Sequence, residues 1–206
     1  MAVRSVFRRI LTSNWLPLLV VGFLYLTGLH TPVIALLQRG ILATGLFQPA
    51  TDLPTTYTPG GPVSTTTLDF RMVDPAGQVV NASELTGKVV FLNLWASWCA
   101  PCLAEMPNIH ALWQDYAEDD RIAFVLLNTE DELTKGLAYV GRHGYGFPVY
   151  RLLGGLPEEL RTGTLPTTYV ISPAGQVVLE HRGMGQYDTR KVRDLLDRLL
   201  NDRVSR

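Results

Sequence analysis

Cysteine is scarce in this sequence, with only two among 206 residues. Two cysteines cannot complete a tetrahedral zinc site, and His110, His143 and His181 have no ligand spacing with them. Leu103 directly follows Cys102, which excludes the Cys-x-x-Cys-His motif that attaches haem. The formal net charge is −1, so the composition lacks the basic excess expected of a nucleic-acid-binding protein. We therefore expect no metal, no bound cofactor and no nucleic-acid partner.

Charged residues are also missing from a long stretch that begins shortly after the amino terminus. Arg4, Arg8 and Arg9 precede a stretch that has no Asp, Glu, Lys or Arg before Arg39. Within it, residues 15–37 make up 23 positions, close to the ~20 apolar residues that a helix needs to cross a bilayer. Because the arginines come before this segment, we expect the amino terminus to lie in the cytoplasm and the rest of the chain to be exported.

A cleaved signal peptide is the alternative, with residues 15–29 as a long apolar region. The best small-residue cleavage site, at residues 43–45, is late for such a peptide, so an anchor is favoured. The following residues, 48–67, are rich in Pro, Thr and Gly, which is typical of a semi-stiff linker. We therefore predict a tail and membrane anchor over residues 1–47, this linker, and one folded domain over residues 68–206.

Both cysteines lie in the motif Cys99-Ala100-Pro101-Cys102, between an apolar run that predicts a strand and a periodic segment that predicts a helix. A Cys-x-x-Cys at such a junction indicates a thioredoxin-like dithiol. The helix amino terminus favours negative charge, so Cys99 is predicted to be a reactive thiolate. Apolar residues spaced four, three, four and three along the helix place Cys102 toward the core. We expect an accessible nucleophile at Cys99 and a shielded resolving thiol at Cys102.

The remaining pattern predicts an α/β domain with a mixed central sheet and helices on both faces. A capping box at residues 129–132 is expected to start one helix, and Asp188 is expected to cap the last one. Short helical turns are expected at residues 83–86 and 157–160. The predicted strands are residues 68–73, 78–80, 88–95, 122–128, 147–152, 168–171 and 176–180, and the predicted longer helices are 101–116, 133–144 and one after 188.

The run from Phe91 to Cys102, followed by Glu105 and Pro107, resembles the membrane-anchored thioredoxin-like thiol:disulfide oxidoreductases of the TlpA/ResA type, which include the cytochrome c maturation thioredoxins. The resemblance covers about residues 68–200 and implies a thioredoxin-like fold. A second match is Thr164-Leu165-Pro166-Thr167-Thr168.

The resemblance implies that Pro166 is the cis-proline of this superfamily. The backbone at Leu165 would then pair with an extended client peptide, and Trp98 and Pro101 would complete the client-binding surface. One departure from ordinary thioredoxin is Asn93, which replaces a buried acid. Glu105, one helical turn after Cys102, is the candidate substitute, either raising the thiol pKa as a like charge or relaying a proton. The expected catalytic set is therefore Cys99, Cys102, Glu105 and Pro166.

This resemblance implies a disulfide reductase tethered to the bacterial inner membrane, with its thioredoxin-like domain in the periplasm. Its expected partners are client proteins with oxidised cysteines, such as apocytochrome c, a membrane electron-donor protein, and the lipid bilayer. The Cys99–Cys102 disulfide would be its only redox group. A net disulfide oxidase or isomerase stays open, because the direction depends on redox potential. A copper-binding module is the alternative from another class, although it would favour a wider cysteine spacing.

Overall fold

A computed structural model describes residues 15–28, 30–44 and 66–201. Its centre is a seven-stranded mixed sheet with the order β2-β1-β5-β4-β3-β6-β7. Strands β3, β4 and β5 are parallel, and the other neighbouring pairs are antiparallel. The strands are β1 Arg71–Val73, β2 Val79–Asn81, β3 Val89–Trp95, β4 Ile122–Asn128, β5 Val149–Leu153, β6 Thr167–Ile171 and β7 Val177–Arg182.

Strands β3 and β4 are central because their sequences are apolar runs that suit burial on both faces. Every residue of β3 is buried. The two strands are in register along their length, from Val89 opposite Ile122 to Trp95 opposite Asn128. They therefore end side by side at one edge of the sheet, and the loops that follow them are neighbours.

Helices α3 Ala100–Tyr116, α4 Leu133–His143 and α5 Arg190–Asn201 pack against one face of this sheet. Their buried apolar side chains belong to one core, together with Val89, Phe91 and Trp95 of β3. The opposite core holds the alternate residues of β3 and is covered by residues 68–72 and two 3-10 turns, Ala82–Leu85 and Glu158–Leu160. The prediction of helices on both faces is therefore wrong for the α-helices. Right-handed crossovers from β3 to β4 and from β4 to β5 run in the same direction, which puts α3 and α4 on one face.

A proline inside α3 is accommodated by the neighbouring helix. Pro107 has no N–H with which to bond the carbonyl of Leu103 four residues earlier. The Tyr139 hydroxyl of α4 lies 3.3 Å from that carbonyl and donates to it. This contact joins α4 to the first turn of the helix that carries the cysteines.

The predicted elements are present with boundaries within a few residues, but two of the predicted caps are wrong. Glu132 is the residue before α4 and makes no side-chain cap. Thr129 instead lies against the carbonyl of Trp95, to which its N–H donates at 3.0 Å. At α5, the Thr189 hydroxyl accepts the N–H of Val192 at 3.4 Å, whereas Asp188 pairs with Arg193.

Two helices precede the domain, α1 Leu16–Leu26 and α2 His30–Ala43. The predicted span over residues 15–37 is therefore interrupted, with Gly28 at a φ of 71°. No helix among residues 15–28, 30–44 and 66–201 has both the length and the apolar character needed to cross a membrane, so the predicted anchor is not confirmed. The predicted linker falls almost wholly outside the described residues, as do the arginines before the span.

Candidate active site

The two cysteines form a disulfide at the amino terminus of α3. Cys99 is the N-cap residue of this helix, and its Sγ accepts the backbone N–H of Cys102 at 3.3 Å. Pro101 occupies the first turn, where its missing N–H has no cost. The Cys-x-x-Cys motif therefore lies at the start of a helix, as the sequence predicts. The unpaired N–H groups of the first turn stabilise negative charge on the Cys99 sulfur once the disulfide is reduced.

The exposure of the two sulfurs differs less than expected. Cys102 is fully buried, as its place in the helix pattern predicts, but Cys99 is only 5% exposed. The expectation of an accessible Cys99 is therefore wrong for the oxidised form shown here. Trp98, by contrast, is 65% exposed. In this state the residue before the motif, Trp98, is exposed, whereas both cysteines are buried.

The Leu165–Pro166 peptide bond is cis, as the resemblance implies. Thr167, the next residue, pairs with Leu94 of β3, so Pro166 lies at the same sheet edge as the loop that leads to the cysteines. The Pro166 carbonyl accepts the N–H of Gly183 at 2.8 Å. Leu165 is half-buried and packs against both cores. The loop is therefore fixed beside the candidate active site by its own strand and by the chain after β7.

Glu105 is fully buried on α3. Its Oε1 accepts from Asn93 Nδ2 at 2.8 Å, and its Oε2 accepts the N–H of Gly185 at 3.0 Å. Burial raises the pKa of Glu105 from 4.5 to about 8, although the hydrogen bonds from Gly185 and Asn93 oppose the shift. Glu105 can therefore gain or lose a proton near neutral pH, one helical turn from Cys102.

Asn93 joins this carboxyl group to the strand that follows the cis-proline. Its Nδ2 donates both to Glu105 and, at 2.9 Å, to the Thr168 hydroxyl. Asn93 stands where ordinary thioredoxin has a buried acid. It donates a hydrogen bond to Glu105, but its amide cannot take up a proton as that acid can. Thr168 was not among the expected site residues, because its own sequence neighbourhood indicates only a buried strand.

Asn108 is a second residue that sequence reasoning missed. Its Nδ2 donates to the Gly185 carbonyl at 3.2 Å, and its Oδ1 accepts the N–H of Tyr187 at 2.9 Å. Together with Glu105 it holds the loop after β7 against α3. The available signal was its spacing, three residues after Glu105, which puts both polar side chains on one side of the helix.

Glu130 is the third missed residue, because the sequence pattern placed it in a capping box. It accepts two hydrogen bonds from Ser97, a residue of the loop between β3 and Cys99. The Ser97 N–H donates to Oε2 at 2.7 Å, and the Ser97 hydroxyl donates to Oε1 at 2.9 Å. No local signal in the sequence connects residues 97 and 130, since their contact depends on the alignment of β3 with β4.

The arrangement as a whole suits thiol–disulfide exchange. It combines a cysteine pair at a helix amino terminus, a fully buried second sulfur, and a buried carboxyl group whose pKa is raised to about 8. Within the part of the chain that the structure describes, no three His, Cys, Asp or Glu side chains come together as metal ligands. The copper-binding alternative gains no support from the described residues.

Known proteins resemble this chain in sequence and structure. The family model Redoxin matches residues 61–195. Thiol-disulfide oxidoreductase ResA of Halalkalibacterium halodurans is 34% identical over 117 residues, covering 56% of this chain and 66% of the relative. ResA of Oceanobacillus iheyensis is 38% identical over 116 residues, covering 53% and 59%. A crystal structure from Chlorobium tepidum, described as a thiol:disulfide interchange protein DsbE, has a TM-score of 0.58 at 26% identity, covering 67% of this chain and 97% of the other.

The match thus spans 66% and 59% of the length of these two curated relatives, less than two thirds of each. These relatives confirm the ResA resemblance predicted from the motif. The match to the family model includes both cysteines. The family model covers well over half of the chain. The chain therefore belongs to the Redoxin family, with a thioredoxin-like fold and a Cys-x-x-Cys pair.

Proposed function

We propose that this protein is a thiol:disulfide oxidoreductase that reduces disulfides in client proteins. The observation that carries the proposal is the position of Cys99 as the N-cap of α3, with its sulfur accepting the Cys102 N–H. A reduced Cys99 at this position is stabilised as the thiolate, which is the species that attacks disulfides. The relatives named ResA support the same reaction class.

The reaction proceeds by two exchanges of sulfur partners. The Cys99 thiolate attacks one sulfur of a client disulfide, and the other client sulfur leaves as a thiolate that takes up a proton. The Cys102 thiol then loses its proton and attacks Cys99 Sγ, which releases the second client sulfur and forms the Cys99–Cys102 disulfide. The client gains two electrons and the protein loses two. A dithiol donor must reduce the protein again, because the sequence has no third cysteine.

Glu105 is proposed to take the proton from Cys102 in the second step. It lies one turn after Cys102 on α3, and with a pKa of about 8 a minor fraction of the carboxyl is deprotonated at neutral pH. This fraction is the base that accepts the Cys102 proton, and it grows as pH rises toward 8. Asn93 and Gly185 fix the two carboxyl oxygens in place.

The proposed role of Pro166 is to present the Leu165 backbone to the client peptide next to the sulfurs.

We also propose that the domain works outside the cytoplasm on a membrane tether, with a membrane protein as its electron donor and apocytochrome c among its clients. The support comes from α1, which has no charged residue and no buried residue. Its exposed side chains include Leu18 at 64%, Phe23 at 61% and Leu26 at 90%. An apolar helix with this exposure is stabilised by contact with lipid. After a carbonate wash, the full chain should stay with membranes, and release of the intact chain would contradict the tether.

The activity is tested by trapping clients in cells. In a Cys102→Ala variant, Cys99 can attack a client but nothing can release it, so mixed disulfides should accumulate. They should disappear on reduction and in the Cys99→Ser, Cys102→Ala double variant. If no disulfide-linked species forms in the single variant, and the parent also fails to reduce insulin with a chemical dithiol as donor, the proposed function is wrong.

A further inference from the structure

Glu130 lies two residues after the end of β4 and reaches the loop that leads to Cys99. Trp95, the last residue of β3, is opposite Asn128, the last residue of β4. The loop after β3 leads to Cys99, and the loop after β4 contains Glu130. The two loops are also joined by the Thr129 N–H, which donates to the Trp95 carbonyl at 3.0 Å.

The Glu130 carboxylate makes three hydrogen bonds in this position. Both oxygens accept from Ser97, and Oε2 also accepts from Asn128 Nδ2 at 3.0 Å. The Glu130 N–H donates to Asn128 Oδ1 at 2.9 Å, so backbone and side chain are held by the same asparagine. Hydrogen bonds to an ionised carboxylate are about twice as strong as neutral ones. This half-buried glutamate therefore fixes the Ser97 backbone more firmly than a neutral side chain would.

The residue that depends most on this contact is Trp98. Its neighbour Cys99 is held independently, because the Cys99 N–H donates to the Ala96 carbonyl at 3.1 Å and its sulfur caps α3. Trp98 itself is 65% exposed, so the fold covers only a minor part of its indole. Without the Glu130 contact, Ser97 and Trp98 would sample more conformations. A client would then bind at the additional cost of ordering them.

We propose, on the basis of the proposed function, that Glu130 is a positioning residue that holds Ser97 so that Trp98 is presented to protein clients. Its role concerns recognition of a polypeptide next to the disulfide and not the reactivity of Cys99. Loss of the contact should therefore raise KM for a protein disulfide. The rate with a small neutral disulfide, which needs only the Cys99 sulfur, should change little.

Four variants of the full chain test this with two substrates, insulin and hydroxyethyl disulfide. Glu130→Ala removes all three carboxylate contacts and should raise KM for insulin about tenfold, with less than a twofold change in kcat/KM for hydroxyethyl disulfide. Glu130→Gln keeps one acceptor oxygen, and Ser97→Ala keeps the backbone bond, so both should raise KM for insulin by a smaller factor. Asp131→Asn is the matched control. It removes an exposed negative charge from the same loop and should behave as the parent.

Two results would overturn the proposal. One is an equal fall in kcat/KM for both substrates, which would place the effect on the cysteines or on folding. The other is a KM for insulin within twofold of the parent in Glu130→Ala, measured alongside a parent that is active. If Glu130→Ala does not fold, the same criteria apply to Glu130→Gln and Ser97→Ala. A parent that reduces neither substrate would instead show that the proposed function itself is wrong, and the role of Glu130 would fall with it.

Discussion

Replacing Glu105 by Gln should change how the stability of the folded domain depends on pH. The folded pKa of Glu105 is raised by burial from 4.5 to about 8. Between these values the folded protein keeps a proton that the unfolded chain has lost. The Glu105 contribution to stability is thus fully present below about pH 4.5 and is lost as pH rises through 8. Between pH 5 and pH 8 the loss amounts to roughly 3–4 kcal/mol, at about 1.4 kcal/mol per pKa unit.

The glutamine variant cannot ionise, so it lacks this loss. Glutamine has one acceptor oxygen for the two donors that face Glu105, the Asn93 amide and the Gly185 N–H. The missing acceptor lowers the unfolding free energy of the variant by the same amount at pH 5 and at pH 8. It therefore cancels when the unfolding free energies at the two pH values are subtracted. Relative to the parent, Glu105→Gln should therefore gain roughly 3–4 kcal/mol in unfolding free energy between pH 5 and pH 8.

Urea unfolding of the oxidised protein, followed by circular dichroism at both pH values, measures this difference. Neither cysteine titrates while the disulfide is intact, so the cysteines do not contribute to the comparison. Asp131→Asn, which removes an exposed acid, should keep the pH dependence of the parent. If Glu105→Gln and the parent lose the same stability between pH 5 and pH 8, Glu105 is not a buried acid that titrates near neutrality, and its proposed role as proton acceptor fails.

Three further predictions concern the cysteines, the core and the polar network. In the reduced protein at neutral pH, iodoacetamide should modify Cys99 first, because Cys102 is fully buried; equal rates, followed by mass spectrometry, would contradict the division of roles. Leu196→Ala, in the fully buried face of α5, should lower the unfolding free energy by about 2–5 kcal/mol, and a loss below 1 kcal/mol in urea unfolding would mean that α5 does not pack as described. Asn108→Ala leaves the Tyr187 N–H without its acceptor and should speed amide hydrogen exchange of residues 185–187, whereas unchanged exchange would show that Asn108 does not hold this loop.

Most of the framework can be predicted from the sequence because its signals are local. The apolar run before Cys99 and the periodic segment after it predict β3 and α3, and the observed helix begins one residue earlier than expected. The placement of Cys102 in the core follows from helical spacing. These features depend on residues that are close together in the chain.

The errors come from contacts between distant segments. Glu130 lies inside the predicted capping box at residues 129–132, but Ser97 offers it two donors because β3 and β4 lie in register. The sequence places Glu105 near Cys102, yet its complete burial depends on the loop at Gly185, some eighty residues away. The low exposure of Cys99 likewise reflects how the finished fold covers the disulfide. Local pattern does not encode such contacts, which exist only once the strands are aligned.

The central claim is that Cys99 is the nucleophile of a client-reducing dithiol, and a comparison of two cysteine variants tests it most directly. The full chain with Cys102→Ser, reduced and mixed with insulin, should form a covalent protein–insulin disulfide in a single turnover and release nothing. The full chain with Cys99→Ser should form none. A covalent adduct of equal yield in both variants, or one formed only by Cys99→Ser, would contradict the assignment of Cys99 as the attacking residue.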